Sequence, residues 1–76
     1  MSIEALISEV LYVDAKSIDE ESGPNNIEAW DSLGHINIIS ALEDEYEIEI
    51  TPEEILEISN VRDIKKVLLN KNISLD

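Results

Sequence analysis

Apolar side chains recur at helical spacing in the first part of the chain. They occupy positions i, i+3, i+4, i+7 and i+8 directly after Ser2, and these positions are Ile3, Leu6, Ile7, Val10 and Leu11. This spacing places them on one face of an amphipathic α-helix, and the Ser2 hydroxyl is suited to cap its first turn. The sequence therefore predicts a first helix that begins after Ser2.

A second helical pattern follows Asp31, a favourable N-cap residue, and continues to about Tyr46. Its apolar positions are Leu33, Ile36, Ile38, Ile39, Leu42 and Tyr46. Helical spacing predicts that they form the buried stripe of this helix. We expect the acidic residues Glu43, Asp44 and Glu47 to lie on the opposite, solvent-facing side.

Two more helices are predicted in the last third of the chain. Thr51 is a capping residue, Pro52 fits the first helical position and Glu54 the third, which predicts a short helix to about Glu57. Asn60 is suited to cap a final helix that ends near residue 70, before a loose tail. The predicted buried stripe of this final helix consists of Val61, Ile64, Val67 and Leu68.

Residues 14–29 lack helical periodicity and are rich in turn-forming residues, so they are predicted to form a long loop. Ile18 and Ile27 are expected to anchor this loop in the core. The alternating segment 48–50 has no obvious strand partner and is predicted to be an extended connector. The expected fold class is all-α: a small four-helix bundle with three longer helices, one short helix and a long loop between the first two. The whole chain, 1–76, is expected to be one domain, with a loosely ordered tail from about residue 70.

The net charge of the chain limits the classes of macromolecule that it is expected to bind. The chain of 76 residues has 18 acidic and five basic residues, a formal net charge of −13, which disfavours nucleic acids and anionic membranes. Thirteen of the acidic residues lie between Lys16 and Arg62, where there is no basic residue. This acidic block indicates a basic protein partner.

The chain has no cysteine, which excludes a disulfide, a thiolate nucleophile and Cys-ligated metal. The spacing of a calcium-binding loop is absent, so no metal site is predicted. The N-terminal segment has neither a basic region nor a long apolar run, so we expect no signal peptide and no membrane insertion. A cytoplasmic monomer is the simplest expectation.

Two candidate chemistries involve Ser32. Ser32 and His35 are three positions apart on one helix, a spacing at which a serine nucleophile and its base could meet, but no oxyanion hole is evident. Alternatively, His35 is an ordinary, partly exposed helix residue. Ser32 is also the first residue of the second helix, where the helix dipole favours a phosphate on its hydroxyl.

The segment Trp30-Asp31-Ser32-Leu33-Gly34-His35-Ile36, followed by Ala41-Leu42-Glu43-Asp44-Glu45-Tyr46, resembles the acyl and peptidyl carrier protein family. The resemblance rests on the Asp-Ser-Leu motif at the start of the second helix, together with the order of helices over nearly the whole chain. It implies a carrier without catalytic activity of its own. It further implies that a phosphopantetheinyl transferase attaches 4′-phosphopantetheine from coenzyme A to Ser32, and that Asp31 helps to bind the magnesium ion of that transferase.

The resemblance also implies further partners: a ligase or transferase that loads an acyl or aminoacyl group, and a downstream synthase or acyltransferase. The expected contact residues for these enzymes are Leu33, Glu43, Asp44 and Glu47. The first half of the second helix is less acidic than in carriers of fatty acid synthesis, which favours a discrete carrier in a specialised pathway. The alternatives are a housekeeping carrier of fatty acid synthesis and, in a different class, an acidic protein-binding module that is never modified.

Overall fold

The computed structural model describes residues 2–73, and these residues form four α-helices and one short 3₁₀ turn. The helices are α1 (Ile3–Leu11), α2 (Ser32–Tyr46), α3 (Pro52–Glu57) and α4 (Val61–Asn70). The 3₁₀ turn, Ala15–Ser17, lies within the long loop between α1 and α2. The described residues contain no strand, so the predicted all-α four-helix class is confirmed.

Each helix begins at the capping residue that the sequence predicts. The side chains of Ser2, Asp31, Thr51 and Asn60 each accept a hydrogen bond from a backbone N–H in the first turn. Thr51 and Glu54 also form a reciprocal capping box. These local bonds satisfy N–H groups that would otherwise have no partner within the helix.

The core lies where α1 packs against α2 and α4. The predicted stripes of α1 and α4 are buried, except that Val10 is only partly buried. Ile18 is buried and Ile27 is partly buried, so both predicted anchors of the long loop contact the core. Trp30, at the end of this loop, is only 1% exposed and is a core residue that periodicity did not predict.

The long loop is fastened to the start of α4. The backbone N–H groups of Val61 and Arg62 donate to the carbonyl oxygens of Ser22 and Glu20, at 3.0 and 3.1 Å. At Gly23 a Cβ would overlap the carbonyl oxygen of Ser59, so a larger residue would force the loop away. The loop thereby holds a fixed path from α1 to the start of α2.

A turn follows α4. Lys71 forms an ion pair with Glu54 at 3.0 Å, and Ile73 packs against the core. Residues 74–76, which belong to the predicted loose tail, lie outside the described residues, as does Met1. No helix within 2–73 is both long enough and apolar enough to cross a membrane.

Candidate functional site

Ser32 is the first residue of α2 and is exposed. The preceding residue, Asp31, caps the helix: its Oδ1 accepts from the Gly34 backbone N–H at 2.8 Å, and its carbonyl oxygen accepts from the His35 N–H at 2.8 Å. The N–H groups of Ser32 and Leu33 have no partner in a regular helix and carry the positive end of the helix dipole. The serine hydroxyl therefore lies where an attached phosphate is electrostatically favoured.

The end of the long loop contacts the first turn of α2, and Gly34 permits this contact. A Cβ on Gly34 would overlap the carbonyl oxygen of Ala29 and lie 3.0 Å from Leu11 Cδ2. Because the nearest obstacle is backbone, a side-chain rotation cannot relieve it. Because Gly34 has no side chain, the loop can approach the helix closely, and this approach sets the positions of Asp31 and Ser32 at the surface.

His35 joins three segments of the chain. Its Nδ1 accepts a hydrogen bond from the Trp30 indole Nε1–H at 2.9 Å, and its Nε2 lies 3.0 Å from the carbonyl oxygen of Ile55 in α3. An indole N–H only donates and a carbonyl oxygen only accepts, so both bonds require the neutral imidazole with its hydrogen on Nε2. The two aromatic rings also stack, with centroids 6.2 Å apart.

These bonds decide between the two interpretations of the pair formed by Ser32 and His35. Both imidazole nitrogens are occupied by groups other than the serine, and no hydrogen bond joins the two side chains within residues 2–73. His35 is thus not placed as a base for Ser32. Nor is it merely a surface residue, since it is partly buried and bridges two elements. Sequence reasoning missed this bridge because Ile55 lies 20 residues away.

An open groove of about 620 Å³ lies beside Ser32. Its walls are part of the long loop, the start of α2 and one side of α3. Its apolar lining residues are Pro24, Trp30, Ile36, Ile55, Leu56 and Ile58. The charged residues that line it, Glu28 and Asp31, are both acidic. The groove therefore offers an apolar surface next to the serine, with negative charge at its edge.

The polarity of the solvent-facing side of α2 changes along the helix. Leu33 and Ile36 are 70% and 51% exposed, so the prediction from helical spacing that both belong to the buried stripe was wrong. The exposure of Leu33 agrees instead with its expected place among the contact residues. The buried face is instead Gly34, Ile38, Ile39 and Leu42. Helical periodicity places the exposed residue Asp44 on nearly the same side as Leu33, about 18 Å from Ser32 along the axis, and not on the opposite side as expected. Glu47, also exposed, is the C-cap residue that follows the helix. The exposed side is thus apolar and uncharged near Ser32 and acidic at the far end.

Glu43 does not lie fully on this solvent-facing side, contrary to the sequence expectation. It is partly buried, and its Oε2 accepts a hydrogen bond from the backbone N–H of Ile50 at 2.9 Å. Ile50 is itself buried, so this bond satisfies a backbone group in the connector between α2 and α3. Glu43 consequently has a structural role that no local sequence signal indicates.

Two of the three basic residues of α4, Arg62 and Lys65, are paired with acidic residues elsewhere. Lys65 Nζ lies 2.9 Å from Glu4 and 3.2 Å from Glu20, and Arg62 lies 2.7 Å from Glu21. The hydrogen bond from Lys65 holds the pKa of Glu4 below its ordinary value, and the same bond raises the pKa of Lys65. These pairs join α4 to α1 and to the long loop, so their cations do not neutralise the acidic end of α2.

A second lowered pKa is found in α3. The backbone N–H of Thr51 is the largest cause of the lowered pKa of Glu54, and the ion pair with Lys71 adds to it. Residues 2–73 contain no cluster of three or more His, Asp or Glu side chains suited to hold a metal ion.

Comparisons with known proteins find matches over most of the chain. A family model described as a phosphopantetheine attachment site matches residues 2–68. The chain is 35% identical over 72 residues to an acyl carrier protein of Helicobacter pylori strain J99, covering 95% of this chain and 92% of the relative. It is 34% identical over 70 residues to an acyl carrier protein of Thermosynechococcus vestitus, covering 91% and 85%.

The fold is also similar to a solved structure. The solution NMR structure of a holo acyl carrier protein from Geobacter metallireducens superposes with a TM-score of 0.82 at 31% sequence identity. The match covers 92% of this chain and 80% of the other. The likeness thus extends over the helices and the long loop, and is not confined to the motif.

Proposed function

Because the chain belongs to the phosphopantetheine-binding acyl carrier protein family, we propose that it is a discrete acyl carrier with 4′-phosphopantetheine attached to Ser32. When attached, this group supplies a thiol that holds acyl or aminoacyl groups as thioesters. The observation that carries the assignment is the exposed Ser32 hydroxyl at the first position of α2, directly after the Asp31 cap.

The surroundings of Ser32 suit the attachment. The Ser32 oxygen forms the new bond to phosphorus, the pyrophosphate bond of coenzyme A breaks, the hydroxyl proton is released and adenosine 3′,5′-bisphosphate leaves. The N-terminal peptide groups of α2 favour the resulting phosphodiester. Asp31 is exposed and uses Oδ1 for capping, which leaves Oδ2 for the magnesium ion of the transferase.

The experiment for this assignment is incubation with coenzyme A, magnesium and a broad-specificity phosphopantetheinyl transferase, followed by intact-mass measurement. The wild-type chain should gain one phosphopantetheine, and Ser32→Ala should gain none. Ser40→Ala is a matched control, because Ser40 is an exposed serine on the same helix. A wild-type mass that does not change would instead support an unmodified acidic binding module.

We propose that the carrier has no catalytic activity of its own and that its partners perform the chemistry. These are the phosphopantetheinyl transferase, a loading ligase or transferase, and a downstream synthase or acyltransferase. The proposed contact surface is the exposed side of α2, with Leu33 and Ile36 near the attachment point and Asp44 and Glu47 beyond them. A cytoplasmic, monomeric protein fits this role.

We further propose that the carrier serves a specialised pathway and not housekeeping fatty acid synthesis. The uncharged first half of α2 supports this, because enzymes that recognise an acidic helix find exposed carboxylates only at its far end, at Asp44, Glu45 and Glu47. The holo protein should be a poor substrate for a housekeeping malonyl transferase and ketosynthase. Malonyl loading and elongation at rates comparable to those of a fatty-acid carrier, at equal concentration and salt, would favour the housekeeping role.

A further inference from the structure

We propose that His35 is a positioning residue that holds the loop end and α3 in the arrangement that the transferase recognises around Ser32. This inference rests on the proposed function, because it assumes that Ser32 is modified. His35 does not contact the reacting atoms in this structure. Its contribution is to bridge Trp30, next to the attachment motif, and Ile55, in the opposite wall of the groove.

The hydrogen bond between Trp30 and His35 fixes the backbone that leads into Asp31 and Ser32. Trp30 is 1% exposed, and its indole N–H is bonded to His35 Nδ1. A buried indole N–H without an acceptor is unfavourable, so removal of His35 should let Trp30 shift toward another partner or toward water. Trp30 directly precedes Asp31 and Ser32, so such a shift moves the motif itself.

The second half of the bridge holds α3. This helix has only six residues and buries none of them. Its position depends on partly buried Ile55, on the buried flanking residues Ile50 and Ile58, and on polar links, of which the bond from His35 Nε2 to Ile55 is one. Leu56, 85% exposed on the same helix, forms the outer edge of the groove. Release of this bond should therefore change the surface beside Ser32.

Three substitutions of His35 test its hydrogen bonds to Trp30 and to Ile55 separately and together. His35→Asn keeps an acceptor near the position of Nδ1 and loses the donor to α3, whereas His35→Gln keeps a donor near Nε2 and loses the acceptor for Trp30. His35→Leu loses both. Asn70→Leu is the control, because it adds the same apolar side chain at an exposed position of α4, outside the proposed contact surface.

Two measurements are made on each apo variant. Hydrogen exchange by NMR reports the Trp30 indole N–H and the α3 amides, and phosphopantetheine transfer at varied carrier concentration gives kcat and KM. We expect His35→Asn to preserve protection of the indole and His35→Gln to preserve protection of α3. We expect KM for His35→Leu to rise about fivefold or more, the ratio given by one hydrogen bond of about 1 kcal/mol, with kcat changed less than about twofold. Each single-bond variant should fall between His35→Leu and wild type.

The outcomes distinguish this inference from the proposed function. Modification of wild type with equal KM for His35→Leu and Asn70→Leu would overturn the positioning role alone. Loss of kcat with unchanged KM in the His35 variants would also overturn it, because it would indicate participation in the chemical step. Failure of wild type to be modified would overturn the proposed function and the positioning role together. If His35→Leu does not fold, the two single-bond variants still test the inference by the same comparison.

Discussion

Replacement of Gly34 by alanine tests how the loop and α2 are joined at the site. Two effects oppose each other. Alanine has a higher helix propensity than glycine by about 1 kcal/mol, which would stabilise α2. The added Cβ, however, overlaps the Ala29 carbonyl oxygen and crowds Leu11, and overpacking of this kind typically costs about 1–3 kcal/mol. Since the obstacle is backbone, the overlap should prevail, with net destabilisation of about 1 kcal/mol.

The assay is thermal unfolding followed by circular dichroism. For a domain of this size, 1 kcal/mol corresponds to a decrease in Tm of about 4–8 °C. The Gly34 N–H is kept, so its bond to Asp31 is not the cause of any change. Asn37→Ala, an exposed site on the same helix, should leave Tm unchanged or slightly higher. Gly34→Ala with a Tm equal to or above that of wild type, and with an unchanged rate of phosphopantetheine transfer, would refute the close approach of loop and helix.

Three further predictions concern charge. Asp44→Lys should slow phosphopantetheine transfer and make the rate less dependent on salt, without loss of helicity. Glu43→Ala should instead lower the free energy of unfolding in urea by about 1 kcal/mol, because the Ile50 N–H loses its acceptor. Equal stability of the two variants would contradict this difference. Because the pKa of Glu4 is lowered in the folded state, its pair with Lys65 stabilises the fold above the unfolded pKa of about 4.3, and this contribution is lost as pH falls through the folded value. Glu4→Gln should therefore lose less stability than wild type on acidification below about pH 4, and parallel curves would count against the pair. Finally, a net charge of −13 should make Tm rise with added salt or millimolar divalent cations, and a Tm independent of ionic strength would argue against self-repulsion.

The sequence predicts those parts of the fold that depend on near neighbours. Capping residues act on N–H groups two or three positions away, so Ser2, Asp31, Thr51 and Asn60 can be recognised from the local pattern. The stripes of α1 and α4 are equally local. The position of the Asp-Ser-Leu motif at the start of α2 could also be predicted from the sequence.

The buried face of α2 could not be predicted in the same way. Apolar residues lie on more than one side of this helix, and the side that is buried begins with Gly34, which gives no hydrophobic signal. Periodicity therefore assigned Ile36 to the core, whereas the structure leaves it 51% exposed. The close approach of the Ala29 backbone and of Leu11 in α1 to Gly34 shows that this side of the first turn faces inward.

The remaining differences involve residues that are distant in the sequence. Trp30 stands alone in an irregular loop, so no repeat marks it as buried. The bonds from His35 to Ile55 and from Glu43 to Ile50 join α2 to the segment that follows it, and they depend on how that segment folds back. Such contacts give no local signal, yet they shape the groove beside Ser32.

The central claim is that Ser32 holds a thiol-bearing arm, and the composition of the chain allows a direct test. Because there is no cysteine, any reactive thiol on the protein must come from the attached group. Titration with a thiol-specific reagent, after reaction with transferase and coenzyme A and removal of free coenzyme A, should find one thiol per wild-type chain. Ser32→Ala treated identically should have none. A wild-type chain without a thiol, or a Ser32→Ala chain with one, would contradict the account.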